Sequence, residues 1–310
     1  MKFAIIGQQD FGKAVLEAFL ARGDHAVAVF CAPEKEGARP DALRLAAQQK
    51  GLSVHQFRSL RDPEATRAMK EAGADICIMA FVTQFAPQEF VTIPKHGSIQ
   101  YHPSLLPKYR GPSSINWPII KGDSETGLSI FRPTDGLDEG VVILQKKTPI
   151  GPDDTLGTVY FDRLFPMGVE ALLEAADLVL TGRHAETVQD ESEASYEGWC
   201  RTAEAKIDWA KPIDQVYNLI RGCDPAPGAW TTFDGKQLQL FDTHKSLFRR
   251  FAEVRGKIGE VTSVTAQSFQ VTAQGGLIEV LKARIEGGKK GSAGELAQAN
   301  GIKAGTVLGD

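Results

Sequence analysis

The sequence predicts an α/β fold, with a Rossmann-like, mostly parallel sheet in the first part of the chain and a smaller, OB-like β-barrel domain at the C-terminus. In the first part, short apolar segments alternate with stretches in which apolar residues recur at helical spacing. That alternation is typical of βαβ units and a parallel sheet. In the last third, one helical stretch precedes five short β segments separated by turns, as in a small barrel.

The first part of the chain begins with a strand, and helices and strands then alternate. Helices are predicted over residues 11–22, 41–50 and 63–72, around "SSINWPIIKG", and over the longer stretch 155–181. The predicted strands are "KFAIIG", "HAVAVFC", "SVHQF", "DICIMAF", "GSIQYH", "GLSIFRP" and "VVILQKK".

The second part of the chain follows a polar, irregular stretch, residues 183–203, which is predicted to be a surface linker. One helix, "IDQVYNLIRG", comes next. The predicted strands are "AWTTF", "KQLQLFDT", "GKIGEVTSV", "SFQVTA" and "GLIEVLKARI". The predicted division is therefore a larger domain at residues 1–182, the linker, and a C-terminal domain at residues 204–310.

Composition and charge narrow the class of function. The chain has 310 residues and a formal net charge of −4, which favours a small-molecule partner over a surface built to hold nucleic acid. No segment approaches the roughly 20 apolar residues of a membrane-spanning helix, so no membrane association is predicted. The four cysteines form neither a CxxC motif nor a metal-binding spacing, which indicates reduced thiols and a cytoplasmic protein.

The first candidate motif is "GQQDFG", which directly follows the first predicted strand. A dinucleotide-binding fingerprint requires G-x-G-x-x-G, so that the backbone can approach a pyrophosphate. Gln9 stands where the middle glycine would be. We therefore predict a tight turn into a helix here and no NAD(P) binding.

The second candidate is "GSIQYHPSLLPKYRG", residues 97–111, in which a polar strand end runs into a turn rich in proline. Side chains alternate across a strand, so Gln100 and His102 share one face and Tyr101 lies on the other. In parallel sheets, ligands bind at the carboxyl ends of the strands, which is where these two polar groups converge. A lone histidine is more often a hydrogen-bonded structural residue than a catalyst, but Pro103 and Pro107 stiffen the segment after His102 and favour a residue held in place.

The third candidate is the acidic loop "TDGLDEG", with Asp135, Asp138 and Glu139. Taken alone, it is either a solvated turn or a set of metal ligands, but the chain has neither an EF-hand series nor an HExxH motif, so no metal is predicted. A carboxylate beside a histidine fixes the orientation of the imidazole, and a nearby amide can donate to an oxyanion. The combination favours acyl chemistry without a nucleophilic side chain.

The stretch "YHPSLLPKYRGPSSINWPIIKGD", together with "TGLSIF" and "DGLDEG", resembles the family of 10-formyltetrahydrofolate-dependent formyltransferases. Other sequence segments resemble the hydrolase branch of this family, which comprises the N-terminal domains of cytosolic 10-formyltetrahydrofolate dehydrogenases. These segments are "IGQQDFG", "HGSIQYHPSLLP", "LFPMGVEAL", "SYEGW", "AKIDWAKP" and "IRGCDPAPGAWT".

The resemblance implies that His102 and Asp138 are catalytic, and that Gln100 occupies the position of an asparagine in the transferases. That position is not asparagine in the dehydrogenases either. The family's folate pocket is carried over to the end of the fourth strand and the loop before the catalytic aspartate. The implied folate-binding residues are Met79, Ala80, Phe81, Leu105, Phe131, Asp135 and Gly136.

The resemblance also implies a reaction on 10-formyltetrahydrofolate, and three formyl acceptors are compatible with it. Water gives tetrahydrofolate and formate, and is favoured by the hydrolase-like phrases. Methionyl-tRNA is favoured by the small β domain and by residues 244–260, which carry five Lys or Arg against two Glu. The short, charge-balanced stretch at residues 33–41 argues against methionyl-tRNA, because the tRNA enzymes have a long basic loop there.

Two further alternatives remain open from the sequence. A sugar nucleotide or another amine would be a third kind of acceptor, and the chain would be a folate-binding module if the change at Gln100 removed turnover. The dehydrogenase activity of the resembled enzymes needs a carrier domain and an aldehyde dehydrogenase domain, which these 310 residues do not contain. NADP use by this chain is therefore not expected, and additional domains are expected if it is a fragment.

Overall fold

The structure is a computed structural model that describes residues 1–249 and 256–309. The described residues form two compact units that interleave along the chain. Unit 1 consists of Met1–Gly111, Gly127–Thr148 and Arg163–Tyr196. Unit 2 consists of Pro112–Thr126, Pro149–Asp162 and the described residues from Glu197 onward. The division predicted at residues 182 and 204 remains a prediction.

Unit 1 is built on a seven-stranded sheet with the strand order β3-β2-β1-β4-β5-β6-β7. The strands are β1 Lys2–Gly7, β2 His25–Phe30, β3 Val54–His55, β4 Ile76–Ala80, β5 Ser98–His102, β6 Glu125–Phe131 and β7 Val142–Pro149. Strands β1 to β5 pair in parallel, and β6 is antiparallel to β5. The predicted mostly parallel, Rossmann-like sheet is confirmed.

The helices of the first part are α1 Gln9–Ala21, α2 Ala42–Gln49, α3 Pro63–Ala72, α4 Gln88–Val91, α5 Asn116–Lys121, α6 Leu156–Val159 and α7 Phe165–Leu180. The predicted helices over residues 11–22, 41–50 and 63–72 and around "SSINWPIIKG" are confirmed as α1, α2, α3 and α5, whereas α4 was not predicted. Asp41 and Asp62 start α2 and α3, since their side chains accept hydrogen bonds from backbone N–H groups of the first turn. The turn predicted at "GQQDFG" is confirmed, because β1 ends at Gly7 and α1 begins at Gln9.

The helical stretch predicted at residues 155–181 is confirmed, but it is not one regular α-helix. The structure has α6, a turn of π-helix at Tyr160–Leu164, and then α7. Pro166 lies in the first turn of α7. A proline lacks the N–H that would continue the helical ladder, and its ring displaces the carbonyl group four residues earlier, so a regular α-helix cannot run through this point.

Packing across the sheet decides which way the side chains of β5 point. Tyr101 packs against Phe11 of α1, with ring centroids 4.5 Å apart. Gly168 of α7 lies so close to the Tyr101 ring that a Cβ atom there would come within 2.6 Å of it. Because side chains alternate along a strand, Gln100 and His102 must lie on the opposite face from Tyr101, as predicted.

Unit 2 contains an antiparallel half-barrel with the strand order β10-β11-β12-β9-β8, in which β13 also pairs with β12. The strands are β8 Trp230–Phe233, β9 Lys236–Leu247, β10 Val261–Val264, β11 Phe269–Ala273, β12 Gly276–Ile285 and β13 Gly291–Ser292, and the helices are α8 Ile213–Gly222 and α9 Ala293–Asn300. The small C-terminal β domain is confirmed, whereas β13 and α9 were not predicted. Residues 250–255 of the basic stretch 244–260 lie outside the described residues.

The four cysteines are all free and buried in the structure. Within unit 2, the Sγ atoms of Cys200 and Cys223 lie 3.8 Å apart. Among the residues that the structure describes, no helix is both long enough and apolar enough to cross a membrane.

Candidate active site

His102 is the last residue of β5, and its imidazole is buried, with 6% of the residue exposed. The ring Nε2 lies 2.9 Å from the backbone carbonyl oxygen of Tyr109. A carbonyl can only accept a hydrogen bond, so Nε2 carries a proton and donates it. The ring Nδ1 faces the Asp138 Oδ2 atom at 3.6 Å, which is longer than a hydrogen bond. Nδ1 is therefore the nitrogen that can exchange a proton with Asp138.

Asp138 lies in the loop between β6 and β7, and it is buried with 8% of the residue exposed. Its Oδ2 atom accepts a hydrogen bond of 2.9 Å from the backbone N–H of Gly111. Its backbone φ angle is 55°, in the left-handed region, which costs a non-glycine residue on the order of 1 kcal/mol. The surrounding contacts must therefore hold this loop, and they fix the carboxylate beside His102.

The loop from Pro103 to Gly111 returns the backbone to the buried histidine. Tyr109 has a φ of 56° and Gly111 a φ of 101°, and these two turns bring the Tyr109 carbonyl to His102 and the Gly111 N–H to Asp138. Ser104 closes the base of the loop by donating a hydrogen bond of 2.6 Å to the Lys108 carbonyl. One loop thus orients both members of the His–Asp pair.

Gln100 lies two residues before His102 on the same strand face, and it is half-buried. Its carboxamide makes no hydrogen bond with any residue that the structure describes. The amide N–H groups are therefore available to a ligand at the carboxyl end of β5. The structure brings His102 and Asp138 together as predicted, and it places Gln100 on the same strand face as His102.

Three of the residues predicted to bind folate have buried side chains. Met79 is 2% exposed, Ala80 0% and Phe131 1%. Phe131 packs in a small cluster with Leu106 and Val142. These three residues are therefore enclosed in the protein, and none of them presents its side chain to solvent.

The other predicted folate residues lie nearer the surface. Phe81, directly after β4, is 42% exposed and has a φ of 61°. Leu105 is half-buried and lies close to Gly127. A Cβ atom added at Gly127 would come within 2.6 Å of the Leu105 side chain. Asp135 is exposed, and its Oδ1 atom accepts a hydrogen bond of 2.9 Å from the Gln88 N–H at the start of α4. Gly136 belongs to the same loop, and a Cβ there would collide with the Glu139 carboxylate.

Comparison with known proteins gives the family. Residues 1–176 match the sequence profile of formyl transferases, and residues 200–301 match that of the formyl transferase C-terminal domain. This chain belongs to the formyl transferase family. Within the part of the chain that the structure describes, no group of three or more His, Cys, Asp or Glu residues is placed to hold a metal ion.

Relatives of this formyl transferase have names that indicate different activities. Human cytosolic 10-formyltetrahydrofolate dehydrogenase is 40% identical over 248 residues, and the match covers 78% of this chain and 27% of the human protein. Methionyl-tRNA formyltransferase of Geotalea uraniireducens (strain Rf4) is 31% identical over 314 aligned positions, covering 100% of this chain and 98% of that enzyme. This chain thus spans about a quarter of the length of the dehydrogenase.

Among solved structures, HypX from Aquifex aeolicus in complex with tetrahydrofolic acid has the same fold as this formyl transferase. The TM-score is 0.67 at 19% sequence identity, and the match covers 96% of this chain and 47% of that one. At this level of identity the likeness supports the fold.

Sequence reasoning missed the groups of this formyl transferase that hold the His–Asp pair in place. The Tyr109 carbonyl and the Gly111 N–H are backbone groups, and the glycine at the end of "PKYRG" was the one signal for them. Arg110 is buried with 8% exposed, and it forms a two-point contact with the Glu191 carboxylate at 2.9 and 2.6 Å. Nothing in the polar stretch 183–203 indicated that contact.

The ion pair between Arg110 and Glu191 predicts a pH-dependent stability. The hydrogen bond from Arg110 lowers the pKa of Glu191 below its ordinary value of 4.5. A carboxyl group with a depressed pKa stabilises the fold fully above that ordinary value, and the contribution is lost as the pH falls through the lower, folded-state pKa. We therefore expect Glu191→Gln to lower the thermal midpoint at neutral pH, and the difference from wild type to shrink on acidification.

A suitable control is Glu193→Gln, on the same turn of 3₁₀ helix, Glu191–Glu193. Thermal melts of the three proteins between neutral pH and the acid range provide the measurement. If the difference in thermal midpoint between wild type and Glu191→Gln widens on acidification, the stabilising role of the Arg110–Glu191 ion pair is contradicted.

Proposed function

We propose that this formyl transferase hydrolyses 10-formyltetrahydrofolate to tetrahydrofolate and formate. The observation that carries the proposal is the buried His102–Asp138 pair at the carboxyl end of β5, with Nδ1 and Oδ2 3.6 Å apart. Such a pair moves protons to and from a reacting water, which is what transfer of a formyl group to water requires. Ser104, the hydroxyl next to the pair in sequence, is buried and committed to the Lys108 carbonyl, so it is not placed as a nucleophile.

The proposed reaction has two steps. Water attacks the formyl carbon, and its proton passes to the His102–Asp138 pair, while the formyl oxygen becomes an oxyanion. The Gln100 N–H and the protonated imidazole stabilise that negative charge. Collapse of the tetrahedral intermediate then breaks the bond between the formyl carbon and the folate nitrogen, which takes the proton back from the pair. No atom changes its oxidation state, so the step uses no NAD(P).

The folate is proposed to lie along the carboxyl ends of β4 and β5. Phe81 presents an exposed aromatic ring there, and Met79 and Ala80 directly precede it as the buried end of β4. An apolar surface of this kind suits a flat pterin ring. Leu105, Phe131 and the Asp135–Gly136 turn complete the proposed pocket.

Water is preferred as the acceptor for two reasons. The chain is 40% identical to the human dehydrogenase over the matched 248 residues, and Gln100 replaces the transferases' asparagine with a side chain one methylene longer. An added reach of about 1.5 Å matters because a displacement of about 1 Å can cost 10²-fold in rate. Methionyl-tRNA is the second candidate, because the methionyl-tRNA formyltransferase match extends over 100% of this chain.

The test is an incubation of the chain with 10-formyltetrahydrofolate alone, followed by the same reaction with methionyl-tRNA added. We expect tetrahydrofolate and formate in equal amounts without an acceptor, and a formylation rate that stays below the hydrolysis rate. Turnover that begins only when the tRNA is added would contradict the proposal in favour of transfer. Folate binding without turnover in either reaction would contradict it in favour of a binding module.

A further inference from the structure

We propose that Gln189 is a positioning residue that holds Asp138 in its reactive conformation. The inference rests on the proposed function, in which the Asp138 carboxylate works with His102. Gln189 touches neither the substrate nor the reacting atoms in this account. It acts through the loop that carries Asp138 and through Arg110.

Gln189 is unusual within its own segment. Residues 181–199 are all described by the structure, and Gln189 is the one buried residue among them, with 6% exposed. Its neighbour Val188 is 78% exposed. The segment therefore lies on the surface and inserts one polar side chain into the protein. A buried carboxamide is expensive unless its hydrogen bonds are made.

Both the amide nitrogen and the amide oxygen of Gln189 form such hydrogen bonds. Its Nε2 atom donates to the carbonyl oxygens of Asp138 at 2.8 Å and of Gly140 at 2.7 Å. Its Oε1 atom accepts from the Arg110 Nη2 at 2.8 Å and from Nε at 3.2 Å. Both N–H groups and both lone pairs of the amide are thus used.

These bonds connect the two loops that form the candidate site. Asp138 belongs to the loop after β6, and Arg110 belongs to the loop after β5, between Tyr109, which orients His102, and Gly111, which binds the Asp138 carboxylate. The backbone of the segment is tied to the same two loops. Thr187 exchanges two hydrogen bonds with Val142, and Ser195 bonds to Pro107, Tyr109 and Arg110.

The bond from Gln189 matters because the backbone of Asp138 has an unfavourable conformation. Its φ of 55° is a strained value for an aspartate, and such a conformation persists only where the surroundings determine it. Gln189 binds the carbonyl group of the strained residue itself. Without that bond the peptide is free to rotate, and the carboxylate moves away from Nδ1 of His102.

Glutamine is the side chain that the contacts require. Leucine would leave the two buried carbonyl groups without this donor, and the Arg110 guanidinium would keep only its contact with the Glu191 carboxylate. Glutamate would keep the bond to Arg110, but it would place a carboxylate against two carbonyl oxygens. Protonated glutamic acid would restore one donor to that position, so the effect of the glutamate variant depends on pH.

The experiment compares Gln189→Leu, Gln189→Glu and the control Ser192→Ala in the hydrolysis of 10-formyltetrahydrofolate. Ser192 lies on the same segment, and its hydroxyl donates a hydrogen bond to the Asp190 carboxylate. We expect kcat to fall about 10²-fold in Gln189→Leu with KM nearly unchanged, the loss expected for a displacement of about 1 Å. The ratio of Gln189→Glu to wild-type kcat is expected to rise as the pH falls. Ser192→Ala is expected to match wild type.

A second measurement keeps the test decisive if a variant folds poorly or if wild type does not hydrolyse the folate. Hydrogen exchange of the full chain is expected to be faster at residues 134–141 in the Gln189 variants, and unchanged in Ser192→Ala. An inactive wild type would refute the proposed function, and the exchange result would then decide the positioning role alone. Wild-type kcat in Gln189→Leu, or unchanged exchange at residues 134–141, would overturn the inference.

Discussion

Replacement of His102 by alanine, or of Asp138 by asparagine, is expected to lower kcat for formate release by about 10³-fold, within the range that acid–base catalysis supplies. Asp138→Asn is the sharper variant, because its side-chain oxygen still accepts from the Gly111 N–H while the negative charge facing Nδ1 is lost. His102→Ala removes the hydrogen bond from the imidazole to the Tyr109 carbonyl, which costs about 0.5–1.5 kcal/mol of stability. Rate and thermal midpoint are therefore measured on the same samples.

The matched control for these two variants is Glu139→Gln, which removes one negative charge from the exposed residue next to Asp138. It is expected to keep the wild-type rate. If Asp138→Asn is also as active as wild type, or if Glu139→Gln loses as much activity as Asp138→Asn, the assignment of the catalytic carboxylate is refuted.

The second large effect is expected at Gln100. Gln100→Leu keeps the size of the side chain and removes its N–H donors, so an oxyanion contact would be lost at a cost of about 10²-fold in kcat, with little change in folate affinity. Steady-state kinetics and a binding titration with tetrahydrofolate separate the two effects. Less than a tenfold loss would show that Gln100 only fills space, and that His102 and Asp138 suffice.

Much of the fold could be predicted from local sequence pattern, and the errors of that prediction have identifiable causes. Apolar runs separated by helical periodicity predicted the parallel strands, since a strand buried on both faces reads as a continuous apolar segment. The helix α9 was missed although a signal was present. Ser292 and Glu295 have the spacing of a capping box, and the Ser292 side chain does accept from the Glu295 N–H. The glycines and alanines of that stretch gave too weak an apolar pattern.

The parts of the candidate site that depend on local sequence pattern could be predicted, and the parts that depend on long-range contacts could not. Strand alternation alone put Gln100 and His102 on one face, and the loop composition drew attention to Asp138. The contact between Gln189 and Asp138 joins residues 51 positions apart. A polar side chain in a polar surface segment carries no periodic signal, so its burial depends on a tertiary arrangement that the sequence pattern does not encode.

The most direct test of the central claim is the origin of the oxygen in the released formate. The chain is incubated with 10-formyltetrahydrofolate in heavy-oxygen water without any amine, and the formate is analysed by mass spectrometry. Hydrolysis at the His102–Asp138 site predicts one solvent oxygen atom in each formate, formed together with an equal amount of tetrahydrofolate, and no labelled product above background with Asp138→Asn. Absence of labelled formate from wild type, or equal labelling by Asp138→Asn, would contradict the account.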